Sequence, residues 1–260
     1  YYREMERQEE IRIITDTATL NAHLAEWRTA PESTPLGFVL TMEGADPIVS
    51  PDTLPAWWDQ GLRVVSLAHY GPSKYAFGTA SEGSVTKDGL ALLDEMAKIG
   101  MILDVTHLCD TSFREAVDRF PGSLIATHSN SRALVPDGRQ FSDEQLKLLI
   151  GRDAVIGAAM DAWMLFPGWI RGETQPNVVT LEAYVDQIDH LCQLAGNSRH
   201  AAIGTDLDGG YGTEQTPGDF DTYIDMQRVP GMLRDRGYAD ADIEAICHGN
   251  WARKLTGSWG

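Results

Sequence analysis

The sequence predicts an α/β protein in which helices cover a parallel sheet. This prediction rests on two observations. Short apolar runs alternate with segments of helical periodicity, and polar connections separate each run from the next helical segment. At 260 residues with 43% hydrophobic content, the chain is long enough for a barrel-sized core, so we expect residues 1–260 to form one domain. The predicted strands occupy residues 36–42, 62–67, 101–106, 123–127, 154–160 and 201–205.

Helical patterns fill most of the segments between these strands. Asp16 has the character of an N-cap, Gly100 that of a helix stop, and Ser142 with Gln145 forms a capping-box pattern. The predicted helices lie at residues 16–27, 86–96, 142–150, 180–194 and 240–255.

Four long connections are rich in glycine, proline and polar residues. Each of them follows the carboxyl end of a predicted strand. Loops of this length in a compact domain are typical of lids or binding segments, and disorder is the alternative interpretation. They span residues 70–83, 129–140, 166–177 and 209–222.

Composition narrows the class of protein. With 21 basic and 38 acidic side chains the formal charge is −17, which argues against binding to nucleic acid or to an anionic membrane. No apolar stretch reaches the length of about 18–20 residues that a membrane-spanning helix needs. Cys109, Cys192 and Cys247 form no C-x-x-C pair, so we expect free thiols and a cytoplasmic location.

Ionisable residues follow most of the predicted strands. Any one histidine at such a place is more often structural, but several histidines and carboxylates at matching positions are typical of a metal site at one rim of a parallel barrel. Imidazole with carboxylate suits zinc, and a zinc-bound hydroxide can attack an amide carbonyl. Hydrolysis is therefore the predicted chemistry. The residues are Glu43, His69, His107, His128, Asp161, Asp206 and Asp208.

Several strings resemble one family, in order and spacing, from about residue 36 to residue 255. The resemblance is to the membrane dipeptidase family of zinc metallopeptidases, also called renal dipeptidase-like. It implies a TIM (β/α)8 barrel of the metal-dependent hydrolase type, a binuclear zinc centre, dipeptide substrates and a homodimer. The strings are TMEG at 41–44, LALLDEM at 90–96, GMILDVTH at 100–107, THSNSRA at 127–133, IGTDLDG at 203–209 and GN at 249–250.

The resemblance also implies metal ligands. Glu43 would bridge the two ions, and His107 and His128 would complete one zinc site. Asp206 would contact the other zinc and shuttle a proton to the leaving amine. Asp208, two residues further on, could orient a ligand indirectly.

Three residues are expected to contact substrate. By resemblance, His69 polarises the scissile carbonyl and Arg139 binds the terminal carboxylate of the dipeptide. Asp161 stands where the family often has an Asn-Phe-Tyr type segment. Its charge could select a positively charged substrate, or its carboxylate could simply cap the following turn.

One departure from the family is large. The chain contains no His-x-Asp motif, which in the family lies on the first strand and binds the second zinc. We therefore expect an N-terminally truncated barrel with about six of its eight strands and one complete zinc site. The predicted activity is that of a zinc metallo-dipeptidase. The alternatives are another small-amide or lactone hydrolase, and a non-catalytic protein that binds zinc or peptides.

Overall fold

A computed structural model describes residues 1–207 and 209–259 of the chain. Its contacts divide these residues into two compact units. The first unit comprises residues 1–124 and 252–259, and the second comprises residues 125–251.

Parallel strands form the centre of the first unit. Strand β1 (Ile11–Ile13) pairs with β2 (Leu36–Phe38), and β4 (Leu62–Ser66) lies between β3 (Leu40–Met42) and β5 (Ile102–Asp104). Every one of these pairs is parallel. The three-residue strand β1 has no counterpart among the predicted strands, and the predicted strand 36–42 is interrupted at Val39 to give β2 and β3.

The helices of this unit follow their capping residues. Helix α2 begins after Asp16, whose side chain accepts a hydrogen bond of 2.7 Å from the backbone N–H of Thr19. Helix α4 ends at Gly100, which adopts the left-handed conformation at φ 77°. Both predicted end signals are confirmed. The helices are α1 (Tyr2–Arg7), α2 (Thr17–Thr29), α3 (Leu54–Asp59), α4 (Lys87–Ile99) and α5 (Asp110–Arg119).

The second unit has the same alternation. Strand β6 (Leu124–Ala126) pairs in parallel with β7 (Val155–Ala158), and β7 pairs in parallel with β8 (Ala201–Ile203). The helices of this unit are α6 (Asp143–Gly151), which starts with the predicted capping box, α7 (Leu181–Ala195), α8 (Val229–Asp235) and α9 (Asp240–Glu244). The C-terminal helix α10 (Asn250–Ser258) begins in this unit, and its residues from Ala252 onward belong to the first unit. The predicted helix 240–255 is helical throughout, and within it residues Ala245–Gly249 form a π-helical turn.

Two glycines allow the carboxyl ends of these strands to approach closely. A Cβ atom on Gly157 would lie 2.2 Å from the carbonyl oxygen of Thr127, and one on Gly204 would lie 2.1 Å from the same oxygen. Real Cβ atoms do not come so near, so a side chain at either position would push the strands apart. The glycines thereby bring the segments that follow β6 and β8 together.

Candidate metal centre

The first unit brings three predicted site residues together. Glu43 follows β3 directly, and His69 and His107 each come three residues after β4 and β5. The strand register pairs Met42 with Val65 and Val65 with Leu103, so the three strands end at about the same level. Ligand atoms of Glu43, His69 and His107 all lie within 4.8 Å of one another.

The spacing of these atoms fits a metal ion. Nε2 of His107 lies 3.0 Å from Oε1 of Glu43, and Nε2 of His69 lies 3.9 Å from Oε2 of the same carboxylate. Two zinc bonds of about 2.1 Å at a tetrahedral angle hold their ligand atoms about 3.4 Å apart. The observed separations lie on either side of that value. A carboxylate and imidazoles are also ligands that zinc prefers.

The two imidazoles differ in their surroundings. The side chain of His107 is 3% exposed, whereas that of His69 is 50% exposed. The ring centroids of the two histidines are 4.2 Å apart, and Tyr70 stands edge-on to both at 4.5 and 4.6 Å. The imidazole of His107 is therefore shielded from solvent beside Glu43, whereas the imidazole of His69 is open to solvent.

The backbone of His107 is strained. Its φ is 71°, in the left-handed region that residues with a side chain seldom adopt. The other non-glycine residues with positive φ in the described chain are Glu9, Asp153 and Asp206. Strain of this kind costs about 1–3 kcal/mol and concentrates at functional sites. Two of the four strained residues are ones that the sequence marks as metal ligands, which supports a functional role for both.

The loop after His69 is ordered and packs beside it. Tyr75 is fully buried, and its hydroxyl donates a hydrogen bond to the carbonyl of Ile48. The backbone N–H of Gly78 donates to the carbonyl of Gly71 at 3.0 Å. A Cβ atom on Gly78 would lie only 1.7 Å from the carbonyl oxygen of His69. This glycine lets the loop fold against the backbone of the candidate site.

The second unit positions His128 and Asp206. His128 comes two residues after β6 and Asp206 three residues after β8. Oγ1 of Thr127 lies 2.9 Å from Nδ1 of His128, and Nε2 of that ring lies 3.9 Å from Oδ1 of Asp206. A histidine whose Nδ1 is held in this way presents Nε2 as its ligand atom. Asp208 lies outside the described residues.

Arg139 is buried beside the same strand end. Its guanidinium donates to the carbonyl of His128 at 2.9 Å and to Oγ of Ser129 at 3.0 Å. These contacts fix the loop that carries His128. The role that the resemblance implies for Arg139, binding a substrate carboxylate, stays a prediction.

Asp161 is also buried, at 6% exposure. Its carboxylate accepts hydrogen bonds of 2.8 Å from the indole N–H of Trp163 and from the side-chain amide of Gln215, the latter at both oxygens. It also caps the short helix Ala162–Met164. Burial raises the pKa of Asp161 to about 6, although these hydrogen bonds lower it in part. These hydrogen bonds agree with the interpretation that the carboxylate caps the following turn. The alternative, that Asp161 selects a positively charged substrate, stays a prediction.

Several residues that hold the site side chains in place were not predicted from the sequence. Tyr70 and Thr127 each adjoin a predicted histidine, and an aromatic or hydroxyl neighbour of a strand-end histidine is a signal that could have found them. Gln215 carries no such signal, because it reaches Asp161 from 54 positions further along the chain.

Histidines and carboxylates that follow the parallel strands of an α/β fold are typical of metal-dependent hydrolases. Proteins of that class are therefore the relevant comparison for this chain. The chain belongs to the membrane dipeptidase family (peptidase family M19), whose sequence profile matches residues 4–257. This confirms the resemblance found in the sequence. In the described residues, no helix is both long enough and apolar enough to cross a bilayer.

Individual relatives are similar over most of this chain. An uncharacterized protein in the pqqA 5′ region of Klebsiella pneumoniae is 27% identical over 216 residues, which are 79% of this chain and 76% of that protein. The dipeptidase tcpJ of Claviceps purpurea is 29% identical over 199 residues, 75% of this chain and 44% of that one. The chain spans about half the length of several curated relatives, for example 51% of one from Acinetobacter calcoaceticus.

Solved structures share the fold. A metallopeptidase from Rhodobacter sphaeroides, liganded with a phosphinate mimic of the dipeptide L-Ala-D-Ala, superposes with a TM-score of 0.84 at 22% identity. That match covers 99% of this chain and 72% of the other. A dipeptidase of family M19 matches with a TM-score of 0.84 at 23% identity and covers 100% and 75% of the two chains. The predicted α/β class with parallel strands is confirmed.

Proposed function

We propose that this protein is a zinc-dependent dipeptidase. The observation that carries the proposal is the cluster of Glu43, His69 and His107, whose ligand atoms lie within 4.8 Å of one another where three adjacent strands end. Membership of a dipeptidase family supports the reaction, and the ligand types support zinc.

Glu43 and His107 are the proposed metal ligands in the first unit. When bound, zinc lowers the pKa of a coordinated water and polarises a carbonyl oxygen, which is the chemistry that peptide hydrolysis needs. The family resemblance adds His128 and Asp206 to the ligand set. The spacing of 3.9 Å between these two side chains is compatible with that part of the proposal.

His69 and Asp206 are the proposed catalytic side chains. His69 is half exposed and farther from Glu43 than His107 is, so its imidazole N–H is accessible to the carbonyl oxygen of a substrate. Asp206 is held with φ at 61°, and its carboxylate is partly exposed. A carboxylate there can accept a proton and pass it to the leaving amine.

The experiment combines metal content with turnover. The purified protein is assayed for bound zinc and for hydrolysis of L,L- and L,D-dipeptides, N-acyl amino acids and lactones. We expect bound zinc and cleavage of dipeptides. His107→Ala and Glu43→Gln should lose zinc on dialysis and lower kcat/KM by at least about 100-fold, as loss of a metal ligand does.

The matched control is His190→Ala. The imidazole of His190 pairs with Asp143 at 2.8 Å on the helices α7 and α6, and we expect its loss to change neither zinc content nor turnover. Zinc binding without turnover of any dipeptide would contradict the proposal and favour a binding protein. Cleavage restricted to N-acyl amino acids or lactones would favour a different hydrolase.

The cytoplasmic location and the homodimer remain predictions. Cys109, Cys192 and Cys247 are free thiols, which supports a reducing compartment. Light scattering of the purified protein and localisation of a tagged full-length gene product test the two predictions.

A further inference from the structure

The backbone around Asp206 is strained and closely packed. Asp206 has a φ of 61°, and a Cβ atom on Gly209 would lie 2.6 Å from Oδ1 of its carboxylate. A left-handed residue that carries a side chain persists where the surrounding structure holds it in place. The hydrogen bonds around Asp206 therefore decide how firmly its carboxylate is positioned.

The peptide group before Asp206 is fixed from two sides. The carbonyl of Thr205 accepts a hydrogen bond of 3.0 Å from the backbone N–H of Met160 and one of 2.7 Å from the hydroxyl of Tyr211. The side chain of Tyr211 is 8% exposed. A hydrogen bond that is shielded from water in this way is stronger than an exposed one.

The next two carbonyls also accept hydrogen bonds. The carbonyl of Asp206 accepts from the backbone N–H of Gly209, and the carbonyl of Leu207 accepts from the hydroxyl of Tyr223 at 3.1 Å. Peptide groups are planar, so the orientations of consecutive peptide groups set the φ and ψ between them. Hydrogen bonds to three consecutive carbonyls therefore restrain the backbone of Asp206.

Tyr223 is anchored although it is 64% exposed. It opens a short helix whose start is stabilised by a capping box between Thr222 and Asp225. At the end of that helix, Arg228 donates hydrogen bonds of 2.6 Å to the carbonyl and to the carboxylate of Asp219. Both ends of the helix are thus tied down, and the hydroxyl of Tyr223 reaches Leu207 from a fixed position.

We propose that Tyr211 and Tyr223 are positioning residues that hold Asp206 for proton transfer. Their hydroxyls bind the carbonyls on either side of Asp206, whose carboxylate is 28% exposed. Proton transfer requires the two heavy atoms to lie within hydrogen-bond reach, so a small displacement of the carboxylate lowers the rate. The inference rests on the proposed dipeptidase function for the reaction that Asp206 serves.

The first test removes each hydroxyl and keeps the ring. Tyr211→Phe and Tyr223→Phe are assayed on a dipeptide that the wild type cleaves, in saturating zinc so that metal affinity does not contribute. We expect kcat to fall about tenfold in Tyr211→Phe and about threefold in Tyr223→Phe, whose hydrogen bond is exposed to water. KM should change by less than about twofold, because the lost positioning affects the proton-transfer step.

A double-mutant cycle tests whether the tyrosines act through Asp206. The amide of Asp206→Asn cannot shuttle a proton, so the same two tyrosine substitutions should lower the residual kcat of that variant by less than about 1.5-fold. A general structural role would lower kcat by the same factor in both backgrounds. Melting temperatures establish that all variants are folded.

A second measurement does not depend on turnover. Hydrogen exchange of the backbone N–H of Gly209, followed by NMR in the zinc-free protein, reports how often this part of the backbone opens. Exchange should be about threefold to tenfold faster in the two tyrosine variants. Tyr238→Phe is the matched control, because its hydroxyl donates to Asp189 at 2.6 Å in the same unit, and it should change neither kcat nor this exchange rate.

The outcomes are distinct. Unchanged exchange of Gly209 in both tyrosine variants would overturn the inference, and so would an unchanged kcat or an equal loss of kcat in the Asp206→Asn background. If the wild type hydrolyses no dipeptide but exchange of Gly209 is faster in the two tyrosine variants and not in Tyr238→Phe, the restraint of Asp206 is supported and the dipeptidase proposal fails.

Discussion

Replacement of Asp161 by asparagine should change how stability depends on pH. The carboxyl is 6% exposed, and burial raises its pKa from 3.8 to about 6. The folded state therefore holds the proton more tightly than the unfolded chain does. The stability contributed by this group is fully present below pH 3.8 and is lost as the pH rises through about 6.

The size of this loss follows from the two pKa values. The difference between 3.8 and about 6 corresponds to about 3 kcal/mol of unfolding free energy. Roughly two thirds of this free energy is lost between about pH 4.5 and about pH 7.5, by the same linkage relation. Asparagine does not ionise, so the variant lacks this component. The amide nitrogen of the new asparagine faces the N–H donors of Trp163 and Gln215. This mismatch lowers the unfolding free energy by an amount that is independent of pH.

Urea unfolding at a series of pH values measures the effect. The unfolding free energy of Asp161→Asn minus that of the wild type should increase by about 2 kcal/mol between about pH 4.5 and about pH 7.5. Asp94→Asn is the control, because Asp94 is an exposed carboxylate paired with Arg119, and it should not reproduce this increase. A difference that stays constant over the whole pH range would refute the reasoning.

Two further substitutions test how the site is supported. Gly78→Ala would place a methyl group 1.7 Å from the carbonyl oxygen of His69, so we expect a lower melting temperature and at least about tenfold lower hydrolysis. Gly71→Ala is its control, since a Cβ there meets nothing within 4 Å, and equal effects of the two would contradict the steric argument. Thr127→Val removes the hydroxyl 2.9 Å from Nδ1 of His128 and should weaken zinc binding about tenfold in competition with a chelator. Thr127→Ser should bind zinc like the wild type, and unchanged affinity in the valine variant would count against this orienting role.

The ends of the strands were predictable from local pattern. Glu43, His69 and His107 each follow an apolar run, and parallel strands that lie side by side end at the same edge of a sheet. The distance of 3.0 Å between Glu43 and His107 was not predictable, since it depends on strand register and on the left-handed backbone at His107.

A short strand and a local change of helix type were not predicted, for a different reason. Strand β1 has only three residues, too few for a periodic pattern to stand out. The sequence from residue 240 to residue 255 is helical throughout in its pattern, yet the structure inserts a π-helical turn there. Asn250, directly after that turn, donates hydrogen bonds to the carbonyls of Ser198 and Ala201, contacts that local pattern does not contain.

The sequence by itself determined the α/β class, the family and the types of side chain that follow each strand, because periodicity, capping and motif spacing are local properties of the chain. Only the tertiary structure decided where those side chains point. The sequence left open whether Asp161 selects substrate or caps a turn, and in the structure its carboxylate accepts hydrogen bonds from Trp163 and Gln215 and caps the turn that follows it. The direction of a buried carboxylate is set by the donors around it, and those donors come from distant parts of the chain.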